Sequence, residues 1–99
     1  MSQPLNETKE IVAKITQNVK EEALVAQLKN IDRLVTQNVN KIWLRTKSGK
    51  PMAEGLQQKA ETALKQLEDV SALKSAITEL EDAVKEIDAE SERRSMIVT

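Results

Sequence analysis

Apolar side chains recur along this chain at helical spacing, and the stripe they form changes direction. Ile11, Val12, Ile15 and Val19 share one helical face, while Leu24, Leu28, Ile31, Val35, Val39 and Ile42 share another. At about 100° per residue the two faces point in nearly opposite directions. One straight helix cannot turn both toward a single core, so the pattern predicts a break near residues 18–22. Asn18 stands three residues before Glu21, the spacing of a capping box, and is the expected N-cap of the second helix. Thr46-Lys47-Ser48-Gly49-Lys50-Pro51, with Gly55 close behind, is the clear breaker. Beyond it, Leu56, Ala60, Ala63, Leu67 and Val70 lead into Leu73, Ile77, Leu80, Val84 and Ile87. The last five alternate in steps of four and three, as a coiled-coil seam does. Asp69-Val70-Ser71 offers a further break. The reading is three helices, near 6–18, 20–46 and 53–94, with a tail at 95–99. The short turn in the middle folds the two halves antiparallel.

Composition agrees with an all-α chain. Charged residues make up 31%, there are two glycines and two prolines, and Trp43 is the one aromatic side chain. With 99 residues this is a single domain spanning 1–99, with a core of Leu, Ile, Val and Ala. A chain of this size buries about 65% of its unfolded surface. So modest an aliphatic core calls for a second copy, and a homodimeric helical bundle is expected. Asn38 falls inside the apolar seam, where a buried Asn sets register or oligomeric state. Trp43, beside the turn, is expected to cap the core. Ile15-Thr16-Gln17-Asn18-Val19 echoes Val35-Thr36-Gln37-Asn38-Val39, which is too short an echo to define a repeat architecture.

The absences narrow the chemistry. Without Cys there is no disulfide, thiolate metal site or thiol nucleophile, and without His the commonest general base is missing. Lys47-Ser48-Gly49-Lys50-Pro51 contains Gly-Lys but lacks the upstream Gly and the following Ser or Thr of a phosphate-binding loop. Glu79, Glu81, Asp82, Glu86, Asp88 and Glu90 read as a solvated face, not a metal site. No nucleophile, base and orienting group can be assembled. The expectation is a non-enzymatic protein with no cofactor and no metal. Its N-terminus lacks the pattern of a signal peptide and no apolar run could span a bilayer, so a cytoplasmic protein without a membrane partner is expected.

Charge is sorted along the chain, although the net charge is only −1. Residues 23–53 hold six basic side chains and one acid, Asp32, while the other fifteen acids lie outside that window. Opposite the buried stripe of the middle helix stand Lys29, Arg33, Gln37, Asn40, Lys41 and Lys47, with Arg45 close by. Over eighteen residues a helix rises roughly 27 Å, enough to follow a duplex across a groove. Lys29, Arg33, Lys41, Arg45 and Lys47 suit phosphates, and Gln37 and Asn40 suit ribose hydroxyls. With no Phe or Tyr on which bases could stack, a duplex is favoured over a single strand.

A small Cys- and His-free helical hairpin with a basic second helix resembles the nodavirus-type RNA-silencing suppressors. The similarity rests on Lys29, Arg33, Lys41, Arg45 and Lys47 over roughly residues 5–70. It implies a helical homodimer that lies along double-stranded RNA and shields it from processing. The alternative expectation is a protein-interaction module, a chaperone, adaptor or coiled-coil scaffold, that offers its 24–42 stripe or 73–87 seam to a partner helix.

Overall fold

The computed structural model describes residues 3–97 and is all-α, with four α-helices and no strand among them. These are α1 (Gln3–Asn18), α2 (Glu22–Asn38), α3 (Lys50–Leu64) and α4 (Val70–Ile97), with a 3₁₀ turn at Ile42–Arg45 between α2 and α3. Two of the expected helices are therefore shorter than the pattern suggested. The helix expected over 20–46 stops at Asn38, and the one expected over 53–94 is interrupted at residues 65–69. Asp69 accounts for the second interruption, because its Oδ1 accepts the amide of Ala72 at 3.2 Å and caps α4. At the other end α4 continues through 95–97, where a tail was expected, and 98–99 lie outside the described residues.

The echoed pentapeptide explains the first two helix ends. Asn18 closes α1 and Asn38 closes α2, and each donates its side-chain amide to the carbonyl four residues back, Lys14 or Leu34, at 2.8 Å. Side-chain bonds of this kind compete with the helical ladder. Three residues further on the backbone is extended in both copies, at Glu21 (φ −69, ψ 123) and Lys41 (φ −70, ψ 125). Asn18 is thus a C-terminal residue of α1, not the N-cap of α2. Glu21 takes that position and makes no side-chain capping bond.

The antiparallel pairs are α1 with α2 and α3 with α4, each joined by a short turn. The two hairpins then stack, α1 on α3 and α2 on α4. Glu21–Lys74, Gln27–Glu81 and Asn38–Asp88 advance together along both chains, so α2 and α4 run parallel. The antiparallel arrangement expected across the middle turn is replaced by this one. Buried positions keep one spacing throughout. Leu5, Thr8, Val12 and Ile15 on α1 match Ala53, Leu56, Ala60 and Ala63 on α3, and Leu24, Leu28, Ile31, Val35 and Asn38 on α2 match Leu73, Ile77, Leu80, Val84 and Ile87 on α4. Large side chains on α1 thus stand level with alanines on α3, which allows the two helices to approach closely. Thr8 is tolerated inside because its hydroxyl donates to the Pro4 carbonyl at 2.7 Å.

Four helices close the core within one chain. Among the described residues, the large apolar side chains left exposed are Ile42 and Val70. Ile42 was expected in the buried stripe, but the stop at Asn38 swings it out, leaving it 77% exposed. The four helices lie along a body of 46 × 20 × 18 Å, and α4, at about 1.5 Å per residue, runs most of its length.

Two substitutions test this packing. A Cβ added at Gly55, inside α3, would meet nothing within 4 Å. Gly55→Ala is expected to raise stability by about 0.5–1 kcal/mol, read from the urea midpoint, because it removes backbone freedom from the unfolded chain. Asn38 is fully buried, and its amide donates both to Leu34 and to Asp88 Oδ1 at 2.9 Å. Asn38→Ala removes the amide that serves Asp88, while the Leu34 carbonyl keeps its helical backbone donor, and is expected to cost about 1–3 kcal/mol by the same measurement.

Candidate nucleic-acid interface

Helix α2 buries Leu24, Leu28, Ile31, Leu34, Val35 and Asn38, which fixes what its other flanks carry. Lys29, Arg33 and Gln37 are exposed on the far side. Asp32, the one carboxylate of the basic window, is half-buried and lines the groove between α1 and α2 with Lys29, Val12 and Thr16. It therefore lies to one side of the line from Arg33 to Gln37. On the opposite flank Gln27 and Asn30 donate to Glu81 of α4 at 3.3 and 3.1 Å. The Arg33 guanidinium donates to the side-chain Oδ1 of Asn30 at 2.6 Å, so it is tied to α4 through a neutral amide and not through a carboxylate.

Past Asn38 the remaining candidates leave the helix. Asn40 and Lys41 are exposed in the turn, Arg45 ends the 3₁₀ segment, and Lys47 stands exposed in the bend before α3. Lys50, the first residue of α3, is an exposed cation of the same stretch that the helical projection passed over. The seven candidates therefore do not form one straight rail of roughly 27 Å. Lys29, Arg33 and Gln37 occupy about 12 Å of α2, and Asn40, Lys41, Arg45 and Lys47 follow on the connection at the end of the bundle. The helix stop at Asn38 is the physical reason. The basic surface is bent, not linear.

Every ion pair among the described residues takes its cation from α4: Lys74–Glu21, Lys85–Glu81, Arg93–Glu90 and Arg94–Glu90. Lys29, Arg33, Lys41, Arg45 and Lys47 belong to none of these pairs. Among the described residues, no three acidic side chains converge as metal ligands would.

The connection that carries the second group is held to the last turns of α4. Half-buried Trp43 donates its indole N–H to Ser91 Oγ at 2.7 Å. The Arg94 guanidinium lies 4.8 Å over the indole ring, donates to Glu90 and reaches Ser48 Oγ at 3.2 Å. Gly49 is buried beneath the same ring. Trp43 thus packs on the core as expected. Its partners Ser91 and Arg94 were missed, because nothing in local spacing pairs residue 43 with residues 91 and 94.

No family model, no curated protein and no solved structure matches the chain. No helix among the described residues is long and apolar enough to cross a membrane.

Proposed function

We propose that this protein is a non-enzymatic binder of duplex nucleic acid, double-stranded RNA above all, and that α2 and its connection to α3 form the contact surface. One observation carries the reading. Lys29, Arg33, Lys41, Arg45 and Lys47 are all exposed, form no ion pair among the described residues, and sit in a stretch whose single acid, Asp32, shares the α1/α2 groove with Lys29 but stands away from the other four. Cations arranged this way keep their charge available for phosphates, whose neutralisation supplies most sequence-independent affinity. Gln37 and Asn40, also exposed, are suited to sugar hydroxyls. The stop at Asn38 divides these cations into two groups, Lys29 and Arg33 on α2 and Lys41, Arg45 and Lys47 on the connection. Two copies seated side by side would double the footprint. Sequestration of duplex RNA from processing, as in RNA-silencing suppression in a cytoplasm, is the biological role that this chemistry best serves.

A mobility-shift titration with a blunt RNA duplex of about 20 base pairs at low salt should show retarded complexes without sequence preference. Unshifted duplex at every protein concentration would remove the reading. The second reading, a protein-interaction module, loses the surfaces expected of it, because the 73–87 seam and Leu24, Leu28, Ile31 and Val35 of the 24–42 stripe are buried within the chain; what remains for a partner is Ile42, 77% exposed. Under that reading Ile42→Ser abolishes partner capture and leaves duplex binding absent.

A further inference from the structure

We propose that Ser48 is a phosphorylation site and that a phosphate there switches off the basic surface around it. The switch rests on the duplex-binding reading, whereas the site itself does not. Ser48 is exposed in the bend between the 3₁₀ turn and α3. Arg45 precedes it by three residues, Lys47 by one, and Lys50 follows by two. This array suits the acidic substrate groove of an arginine-directed serine kinase. Thr46, the neighbouring hydroxyl, is engaged: it donates to the Trp43 carbonyl at 2.6 Å and accepts the Gly49 amide at 3.2 Å. Ser48 Oγ instead meets the Thr46 hydroxyl at 3.2 Å and the Arg94 guanidinium at 3.2 Å. That guanidinium is already oriented by the Trp43 ring and Glu90, so a receptor for an anion stands beside the hydroxyl before any anion is attached.

The step is phosphoryl transfer from ATP. Ser48 Oγ forms a bond to the γ-phosphorus as the bond to the β,γ-bridging oxygen breaks, the hydroxyl proton passes to the kinase base, and ADP leaves. The phosphoserine carries about −1.5 to −2 charges at neutral pH. It would lie among Arg45, Lys47, Lys50 and Arg94, with Glu90 the nearby carboxylate sharing Arg94. Its charge offsets about two of the cations that the proposed interface offers to a duplex.

The test treats the full chain with a purified arginine-directed serine kinase and ATP, then maps the modified peptide by mass spectrometry. One phosphate on Ser48, absent from the Ser48→Ala variant, is expected; no incorporation, or incorporation that persists in that variant, overturns the site. By ³¹P titration the phosphate should ionise at lower pH than in a phosphoserine peptide and move back toward the peptide in Arg94→Gln. A titration matching the peptide overturns the role given to Arg94. Duplex affinity of the phosphorylated chain should fall roughly tenfold, and its salt slope should shrink by about 1–2. Unchanged affinity overturns the switch. Absence of duplex binding before any kinase is added overturns the switch through the function reading, and incorporation still decides the site.

Discussion

Gly49→Ala is expected to destabilise the fold by about 3 kcal/mol or more, where the same added methyl at Gly55 is tolerated. Gly49 has ordinary helical dihedrals (φ −91, ψ −34), so the demand for glycine is one of space, not of backbone conformation. A Cβ there would lie inside contact with the Trp43 carbonyl oxygen and 2.6 Å from a carbon of its ring. One of those atoms belongs to the backbone and the other to a ring held by Ser91 and Arg94, so neither can simply rotate away. Relief requires the 3₁₀ turn to move off the end of α4, which also breaks the Gly49 amide bond to Thr46. In a domain of this size each kcal/mol shifts the melting temperature by about 4–8 °C. Calorimetry should therefore show a fall of tens of degrees for Gly49→Ala beside a small rise for Gly55→Ala. Equal behaviour of the two glycines would mean that Trp43 does not pack where the account has it.

The second large effect is on binding. Reversing two charges together, Arg33→Glu with Lys41→Glu, takes one cation from each group of the bent surface. Both side chains are exposed, and Arg33 makes one exposed bond to Asn30. Helicity and melting temperature should stay close to those of the parent, since such surface changes are usually within about 0.5 kcal/mol each. Duplex affinity at low salt should drop by on the order of a hundredfold, because two phosphate contacts become repulsions, and the salt slope should shrink by about 2. A doubly reversed protein that binds duplex as the parent does would separate these residues from any nucleic-acid role.

Helical periodicity made most of the fold legible. The seam from Leu73 to Ile87 is buried at every position it named, as are Val12, Ile15, Leu24, Leu28, Ile31, Val35, Leu56, Ala60 and Ala63. The breaks were harder. Val39 and Ile42 continue the stripe of Val35 so well that periodicity alone extends the helix through them. The signal that stops it was present: the echoed Thr-Gln-Asn-Val, whose first copy already sat at an expected break. Read for what its Asn does to the backbone, the second copy carries the same meaning. The parallel match of α2 with α4 and the cluster of Trp43, Ser91, Arg94 and Ser48 join residues some fifty positions apart, and no local pattern encodes them. The candidate site was legible as a charge window but not as a shape, since its bend follows from the stop at Asn38.

What must hold is that the cations of α2 and its connection have no carboxylate partner of their own and are available to a polyanion. Fluorescence anisotropy of a labelled RNA duplex, titrated with the full chain across a series of salt concentrations, asks this directly. Five available cations predict that log K falls linearly with log salt, with a slope of about −4. A flat line, or no rise in anisotropy even at the lowest salt, would contradict the account.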